Sequence, residues 1–143
     1  MATAGSPRSE YTLRRRVHFY ETDAAGIVHF SNFFRYMEEA EHALWREAGL
    51  SITKRKAGIG FPRIATSFEY HRPLRVEDEF DVCIKVVGKS EKTMRYQCVL
   101  TKGDETIATG SLTIVCVSTV DGQMKAIPIP PDIASRFTVA AAQ

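Results

Sequence analysis

The chain has 143 residues, enough for one domain with its own core, and its 44% apolar and 25% charged residues exclude disordered and fibrous classes. A net charge of +2 is too small to argue for nucleic acid, and no apolar run approaches the roughly 20 residues of a membrane-spanning helix. The opening MATAGSPRSE lacks the apolar core of an export signal, so residues 1–10 read as a flexible tail and a cytoplasmic location is expected.

Three cysteines, Cys83, Cys98 and Cys116, have no CxxC spacing and an odd count. That pattern argues against a disulfide framework or a metal site and for buried, inert thiols in a reducing compartment.

In chain order, the first strand is predicted over residues 11–20, with Leu13, Val17 and Phe19 on one face and Thr12, Arg14, Arg16 and His18 on the other. Arg15 interrupts the apolar face. The run Arg14-Arg15-Arg16 reads as a solvated strand edge or as a phosphate patch.

A long helix is then predicted over residues 32–48. Phe33, Met37, Ala40, Leu44 and Ala48 form its apolar stripe, with Phe34, Glu41 and Trp45 beside it. Ser31 is the expected N-cap and Gly49-Leu50 the glycine-ended stop. Glu38, Glu39, Glu41 and Arg46 are expected on the solvated side.

Beyond the helix the apolar period becomes two. Four runs carry it: Ile64-Thr66-Phe68-Tyr70, Phe80-Val82-Ile84-Val86, Met94-Tyr96-Cys98-Leu100, and Ala108 with Leu112-Ile114-Cys116. Arg72-Pro73, Gly88-Lys89-Ser90, Lys102-Gly103-Asp104 and Asp121-Gly122 supply turns. Pro128, Pro130 and Pro131 end the sheet, and a short helix is expected near Pro131. One apolar helix and about four or five antiparallel strands can bury each other only face to face, so an α+β domain over residues 11–137 follows, with long edge strands open to a second subunit. Residues 138–143 read as a second flexible tail.

The segment Glu21-Thr22-Asp23-Ala24-Ala25-Gly26 admits two readings. Asp23 can cap a turn in which Gly26 takes a positive φ. It can also be a reactive carboxylate, because the start of the long helix offers unpaired N–H donors near Phe30, Ser31 and Asn32 to an oxyanion. Ala24, Ala25 and Gly26 would let a substrate approach the backbone. An ionised aspartate is a weak base, so the carbonyl it attacks must already be activated, and a thioester fits better than an amide.

The segment from Asp23 to Ala40, DAAGIVHFSNFFRYMEEA, closely resembles the signature of the 4-hydroxybenzoyl-CoA thioesterase family, which includes the Tol-Pal-associated acyl-CoA thioesterases. The order of elements over residues 13–117 matches as well. The resemblance implies a hotdog fold, a curled sheet around one central helix, and hydrolysis of an acyl-CoA without metal or redox cofactor. It implies that Asp23 acts as nucleophile or general base and that the Phe30 N–H polarises the thioester carbonyl. A second backbone donor would come from Gly58-Ile59-Gly60-Phe61-Pro62, at Gly60, across a homodimer interface, and dimers can pair into a homotetramer. Many members carry Tyr-His where this chain has His29-Phe30, which leaves His29 either a catalytic or a hydrogen-bonding role. Similar enzymes bind the nucleotide at the turn after the third strand, which points to Lys89 and Ser90.

Arg72, beside a predicted strand end, is a further candidate for the CoA phosphates. Phe33, Phe34, Met37, Phe61 and Ile64 would line the acyl pocket or simply fill the core. Glu38, Glu39 and Glu41 compete for the role of catalytic acid, since another hotdog branch carries its carboxylate on the central helix, but a solvated face accounts for them too. Rival functions are hydrolysis of acyl groups on a carrier protein, non-catalytic acyl-CoA binding, and the hydratase chemistry of the same fold.

Overall fold

The computed structural model describes residues 6–53 and 58–141. Strand β1, Glu10–Arg16, leads through a 3₁₀ turn at Phe19–Glu21 into helix α1, Asn32–Glu47. After it come β2 Ile59–Gly60, β3 Arg63–Tyr70, β4 Glu79–Lys89, β5 Thr93–Lys102, β6 Glu105–Val115, β7 Val117–Val120, β8 Gln123–Ala126 and the short helix α2, Pro131–Ala134. Five strands form one antiparallel sheet in the order β1-β4-β5-β6-β3, and β2-β7-β8 form a second. The expected four or five strands after the helix are therefore seven in two sheets. The break falls at Cys116, whose N–H bonds Lys92 O while its carbonyl accepts from Ile127 N–H, so the chain leaves one ladder for the other.

The helix stripe packs on the inner face of the large sheet. Phe33, Met37, Ala40, Leu44 and Ala48 are all buried, as are Phe80, Val82, Ile84, Val86, Met94, Tyr96, Cys98 and Leu100 opposite them. Tyr36 meets Phe80 at 4.9 Å, and Trp45 meets both Phe61 and Phe137 at 5.1 Å. Large aromatic rings of this kind dominate the burial term of such a core. At the helix end Gly49 has φ +79°, Leu50 N–H reaches Trp45 O at 2.9 Å and Gly49 N–H reaches Arg46 O at 3.0 Å, which closes the expected glycine stop.

Several expectations are corrected. The first strand ends at Arg16, and Phe19 is 79% exposed instead of core-facing. The 3₁₀ turn breaks the alternation so that Glu21 can turn inward to Arg15. Arg14 and Arg16 pair with Asp81 and Glu79 on β4, so the arginine run is a strand surface already matched by acids. Ser31 gives no side-chain cap; its hydroxyl meets His29 Nδ1 at 2.7 Å. Glu41 is fully buried and bonds Arg63, because it faces the start of β3 and not solvent. Ile64 is 60% exposed, since β3 is a sheet edge with no strand on its outer side among the described residues. Gly88 and Lys89 belong to β4, where a register shift after Val86 accommodates them, and the turn begins at Ser90. Cys83 is half-buried, whereas Cys98 and Cys116 are buried and all three are free thiols.

Arg8 and Ser9, at the end of the expected N-terminal tail, are hydrogen-bonded to Arg136 and Val86, and Thr138 and Ala140 return bonds to Arg8 and Val86. Residues 1–5 and 142–143 of those tails lie outside the described residues. No helix among the described residues is long and apolar enough to cross a membrane.

Candidate active site

Thr22 and Val28 bridge as the ends of a tight hairpin whose tip is Asp23-Ala24-Ala25-Gly26. Asp23 N–H bonds Ile27 O at 2.8 Å and Gly26 N–H bonds Asp23 O at 2.9 Å. The glycine is required at this tip, because its φ is +82°. Asp23 Oδ1 accepts the Ala25 N–H at 2.8 Å. The turn-capping reading is thus correct as local structure. It engages one carboxylate oxygen; Oδ2 makes no protein hydrogen bond among the described residues.

That hairpin forms one wall of a cleft of about 470 Å³, lined by Asp23, Ile27, Val28, Phe30, Phe33, Tyr70, His71, Arg72 and Pro73. The opposite wall is the end of β3 and the turn after it. Main-chain bonds join the two walls: Val28 N–H reaches Leu74 O at 2.8 Å, and Ile27 bridges Arg75. Tyr70 donates its hydroxyl to Phe30 O at 3.1 Å, and its ring lies edge-on to Phe33 at 5.0 Å.

Phe30 precedes helix α1 and is 61% exposed. Its carbonyl is taken by Tyr70 and by Phe33 N–H, but its own N–H has no protein acceptor among the described residues. An unpaired donor at a helix start, on a cleft that also holds a carboxylate, can stabilise a developing oxyanion. His29 lies beside this cleft and outside its lining. It stacks on Phe30 at 4.4 Å, and its Nδ1 is occupied by Ser31. Gly26 is exposed at the hairpin tip, and a Cβ placed on it would meet nothing within 4 Å.

The other candidates lie elsewhere. Gly60 and Phe61 line a second cleft of about 410 Å³ with Gly58, Ile59, Pro62, Val117, Thr119 and Met124. Lys89 Nζ donates to Ala134 O and Phe137 O, each at 2.8 Å, and Ser90 Oγ meets Thr93 Oγ1 at 2.6 Å. Lys89 ends β4 and Ser90 opens the turn to β5, and neither lines the Asp23 cleft. Phe34 and Met37 line a small cavity of about 160 Å³ with Arg63 and Thr66. Arg72 is at the Asp23 cleft, and its guanidinium makes an exposed ion pair to Glu105 at 3.4 Å. Among the described residues no group of three His, Cys, Asp or Glu side chains could hold a metal.

Sequence reasoning took the segment around His71, Arg72 and Pro73 only as a basic strand end for the CoA phosphates, and it did not reach Tyr70 as a cleft wall, nor Glu21. Glu21 is buried. Burial alone would raise its pKa, but hydrogen bonds from Arg15, the His18 N–H and Tyr36 hold the carboxyl below its ordinary value. The available signal was Arg15 itself: an arginine on the inward phase of a strand requires a buried acid.

Residues 17–137 match the family model of the thioesterase-like superfamily. The chain is 36% identical over 119 residues to a putative esterase of Aquifex aeolicus, covering 82% of this chain and 91% of that protein. It is 32% identical over 112 residues to a 1,4-dihydroxy-2-naphthoyl-CoA hydrolase of Trichodesmium erythraeum, covering 75% of this chain and 81% of the relative. The solved structure of the gentisyl-coenzyme A thioesterase BH1999 superposes with a TM-score of 0.79 at 26% identity, over 87% of this chain and 99% of that one. A cleft built from a turn-held carboxylate and a helix-start donor, on a sheet curled around one helix, thus coincides with a family match over most of the chain, and the chain belongs to the thioesterase-like superfamily as a hotdog-fold thioester hydrolase.

Proposed function

We propose that the protein hydrolyses aryl-CoA thioesters, with Asp23 as the reacting carboxylate and the Phe30 N–H as oxyanion donor. The observation that carries this is their meeting in one cleft: Asp23 keeps one oxygen for chemistry, and Phe30 keeps an unpaired N–H. Phe33, Tyr70 and Phe30 give that cleft aromatic walls, which suit a planar acyl group. Two of the similar proteins are named for aromatic acyl-CoA substrates.

In the reaction, the carbonyl oxygen sits on the Phe30 N–H. Either Asp23 attacks the carbonyl carbon, or it takes a proton from a water that attacks. The C–S bond breaks, and CoA leaves as a thiolate that water protonates. If Asp23 attacked, water then cleaves the mixed anhydride to release the acid and restore the carboxylate. Arg72 is the best placed of the basic candidates for a CoA phosphate, because the Lys89 ammonium already serves two carbonyls.

The site is read as shared between two subunits. β3 begins beside Phe61 and Pro62 of the second cleft and ends with Tyr70 at the first. Its eight residues separate the clefts by about 25 Å at ~3.3 Å per residue. Antiparallel pairing of two β3 edges about a two-fold axis would bring the second cleft of one subunit, with Gly60, to the Asp23 cleft of the other. Gly60 N–H would then be the second donor, and Phe61 would extend the acyl wall.

The test is thiol release from a panel of aromatic and short, medium and long alkyl acyl-CoAs, with wild type and Asp23→Asn side by side. An aryl-CoA is expected to turn over fastest, and folded Asp23→Asn is expected to lose about 10³-fold or more in kcat. Full activity in Asp23→Asn would remove Asp23 from the chemistry. Turnover of carrier-protein thioesters alone would replace CoA as the donor.

A further inference from the structure

A buried charge network that the proposed reaction does not use lies under the Asp23 hairpin. Glu21 Oε1 accepts the His18 N–H at 2.8 Å and the Tyr36 hydroxyl at 3.0 Å. Both of its oxygens face Arg15, with Nη1–Oε1 at 3.0 Å and Nη2–Oε2 at 2.6 Å. Arg15 is held in turn by Glu39 at 2.8 and 3.1 Å, donates to Arg16 O at 2.8 Å, and lies 4.8 Å over the Tyr36 ring. One carboxylate therefore joins β1, through Arg15, to α1, through Tyr36.

The backbone of the same residue reaches the other half of the site. Glu21 O accepts the His29 N–H at 2.9 Å and Asn32 Nδ2 at 2.8 Å. Those two residues bracket Phe30. Asp23 follows Glu21 by two positions, with only Thr22, the first residue of the hairpin bridge, between them.

A buried ion pair is a weak source of stability, because desolvation offsets much of the attraction. An apolar pair would fill the same space. What a bidentate arginine and two further hydrogen bonds to the carboxylate supply is a single direction for the chain. The geometry points to Glu21 as a positioning residue, which with Arg15 and Tyr36 holds the Asp23 carboxylate and the Phe30 N–H in one fixed relation. Glu21 does not line the cleft, so it acts through those two groups and not on the substrate. The inference rests on the reading of Asp23 and Phe30 as the reacting pair.

The test uses Glu21→Ala, which removes every side-chain bond, and Glu21→Gln, which keeps the size and an acceptor oxygen but loses the charge opposite Arg15. A displacement of about 1 Å between reacting groups costs about 100-fold in rate. The folded Ala variant is therefore expected to lose about 100-fold in kcat, and the Gln variant less, with KM changed by about two-fold or less. Val82→Ala, a core truncation on β4 outside both clefts, is the control: it lowers Tm and leaves kcat in place. Amide exchange is measured on the same proteins. In the Glu21 variants the His29 and Gly26 N–H groups are expected to exchange faster, while Ala40 and Leu44 within α1 stay protected. Wild-type kcat in a folded Glu21 variant overturns the proposal. A wild type that hydrolyses no thioester overturns the reading of the site instead; exchange alone then decides, and unchanged protection at His29 and Gly26 would overturn the positioning role.

Discussion

Glu41 illustrates how one residue can carry opposing electrostatic demands. It is 0% exposed on α1 and bonds Arg63 at the start of β3, beside the Tyr96 hydroxyl that receives Trp45 Nε1–H at 2.9 Å. Burial raises the Glu41 pKa above its ordinary 4.5 and outweighs the attraction of Arg63. Arg63 is 29% exposed and also meets Glu38 at 3.3 Å, so it retains water and a second acid if Glu41 is lost. Removing either partner should then differ in effect. Arg63→Met strands a buried carboxylate and is expected to cost about 3 kcal/mol at pH 7, whereas Glu41→Gln is expected to cost under about 1 kcal/mol. A carboxyl whose folded pKa lies above its unfolded value favours the folded state when protonated. The Arg63→Met deficit should therefore shrink as pH falls from 7 toward 5, read as urea midpoints of variant against wild type at both pH values. Glu21 has the opposite sign and loses its contribution on acidification, but it is present in both proteins and cancels in the difference. A deficit that grows on acidification would contradict the assignment.

The two ends of helix α1 matter for different reasons: the start adjoins the Phe30 N–H proposed as the oxyanion donor, and the stop sets where the chain turns back. At the stop, Gly49 has φ +79°, and a Cβ there would lie 2.7 Å from Arg136 Nη1. That same nitrogen donates to Ala48 O at 2.6 Å and ties the segment after α2 to the helix end. Gly49→Ala meets both a left-handed backbone and a displaced guanidinium, and is expected to lower stability by about 1–2 kcal/mol, roughly 3–8 °C in Tm. Calorimetry measures this, and kcat of the folded variant should hold, since the stop is remote from the Asp23 cleft. The element-level pattern was readable in advance: the stripe from Phe33 to Ala48, the glycine stop and the four period-two runs all follow from apolar spacing. The end of β1 was not readable. Val17 continues the alternation and is buried, but Glu21 needs Arg15 more than Phe19 needs the core.

At the scale of the molecule, the unresolved demand is the outer edge of β3. Its burial pattern is open on most positions, with Ile64, Ala65, Thr66 and Ser67 all exposed on an edge that no strand among the described residues covers. Such an edge pairs readily with its own copy. Under the proposed two-fold pairing, Ile64→Lys would place like charges near the seam. It is expected to shift the protein from dimer to monomer by sedimentation velocity, with the far-UV spectrum unchanged and thiol release lost. A monomeric variant that keeps full activity would place the whole site within one chain. Mixing inactive Asp23→Asn and Gly60→Pro subunits tests the same arrangement, since a shared site recovers activity only in the mixed dimer.

The long helix with its apolar stripe, the four long strands that follow it in order and the motif around Asp23 were determined by the sequence alone, because periodicity and turn chemistry are local; the second sheet of β2, β7 and β8 was not. The signature DAAGIVHFSNFF also marked the segment that meets in the main cleft. Only the tertiary structure decided which polar residues face inward. Glu21 and Glu41 look solvated when read along the chain, yet each is drawn into the interior by an arginine, Arg15 at 6 positions and Arg63 at 22 positions away. The opposite wall of the cleft, Tyr70 to Pro73, and the remoteness of Gly60 from Asp23 are likewise set by how β3 crosses the sheet, since that pairing joins residues far apart in the chain and leaves no local trace.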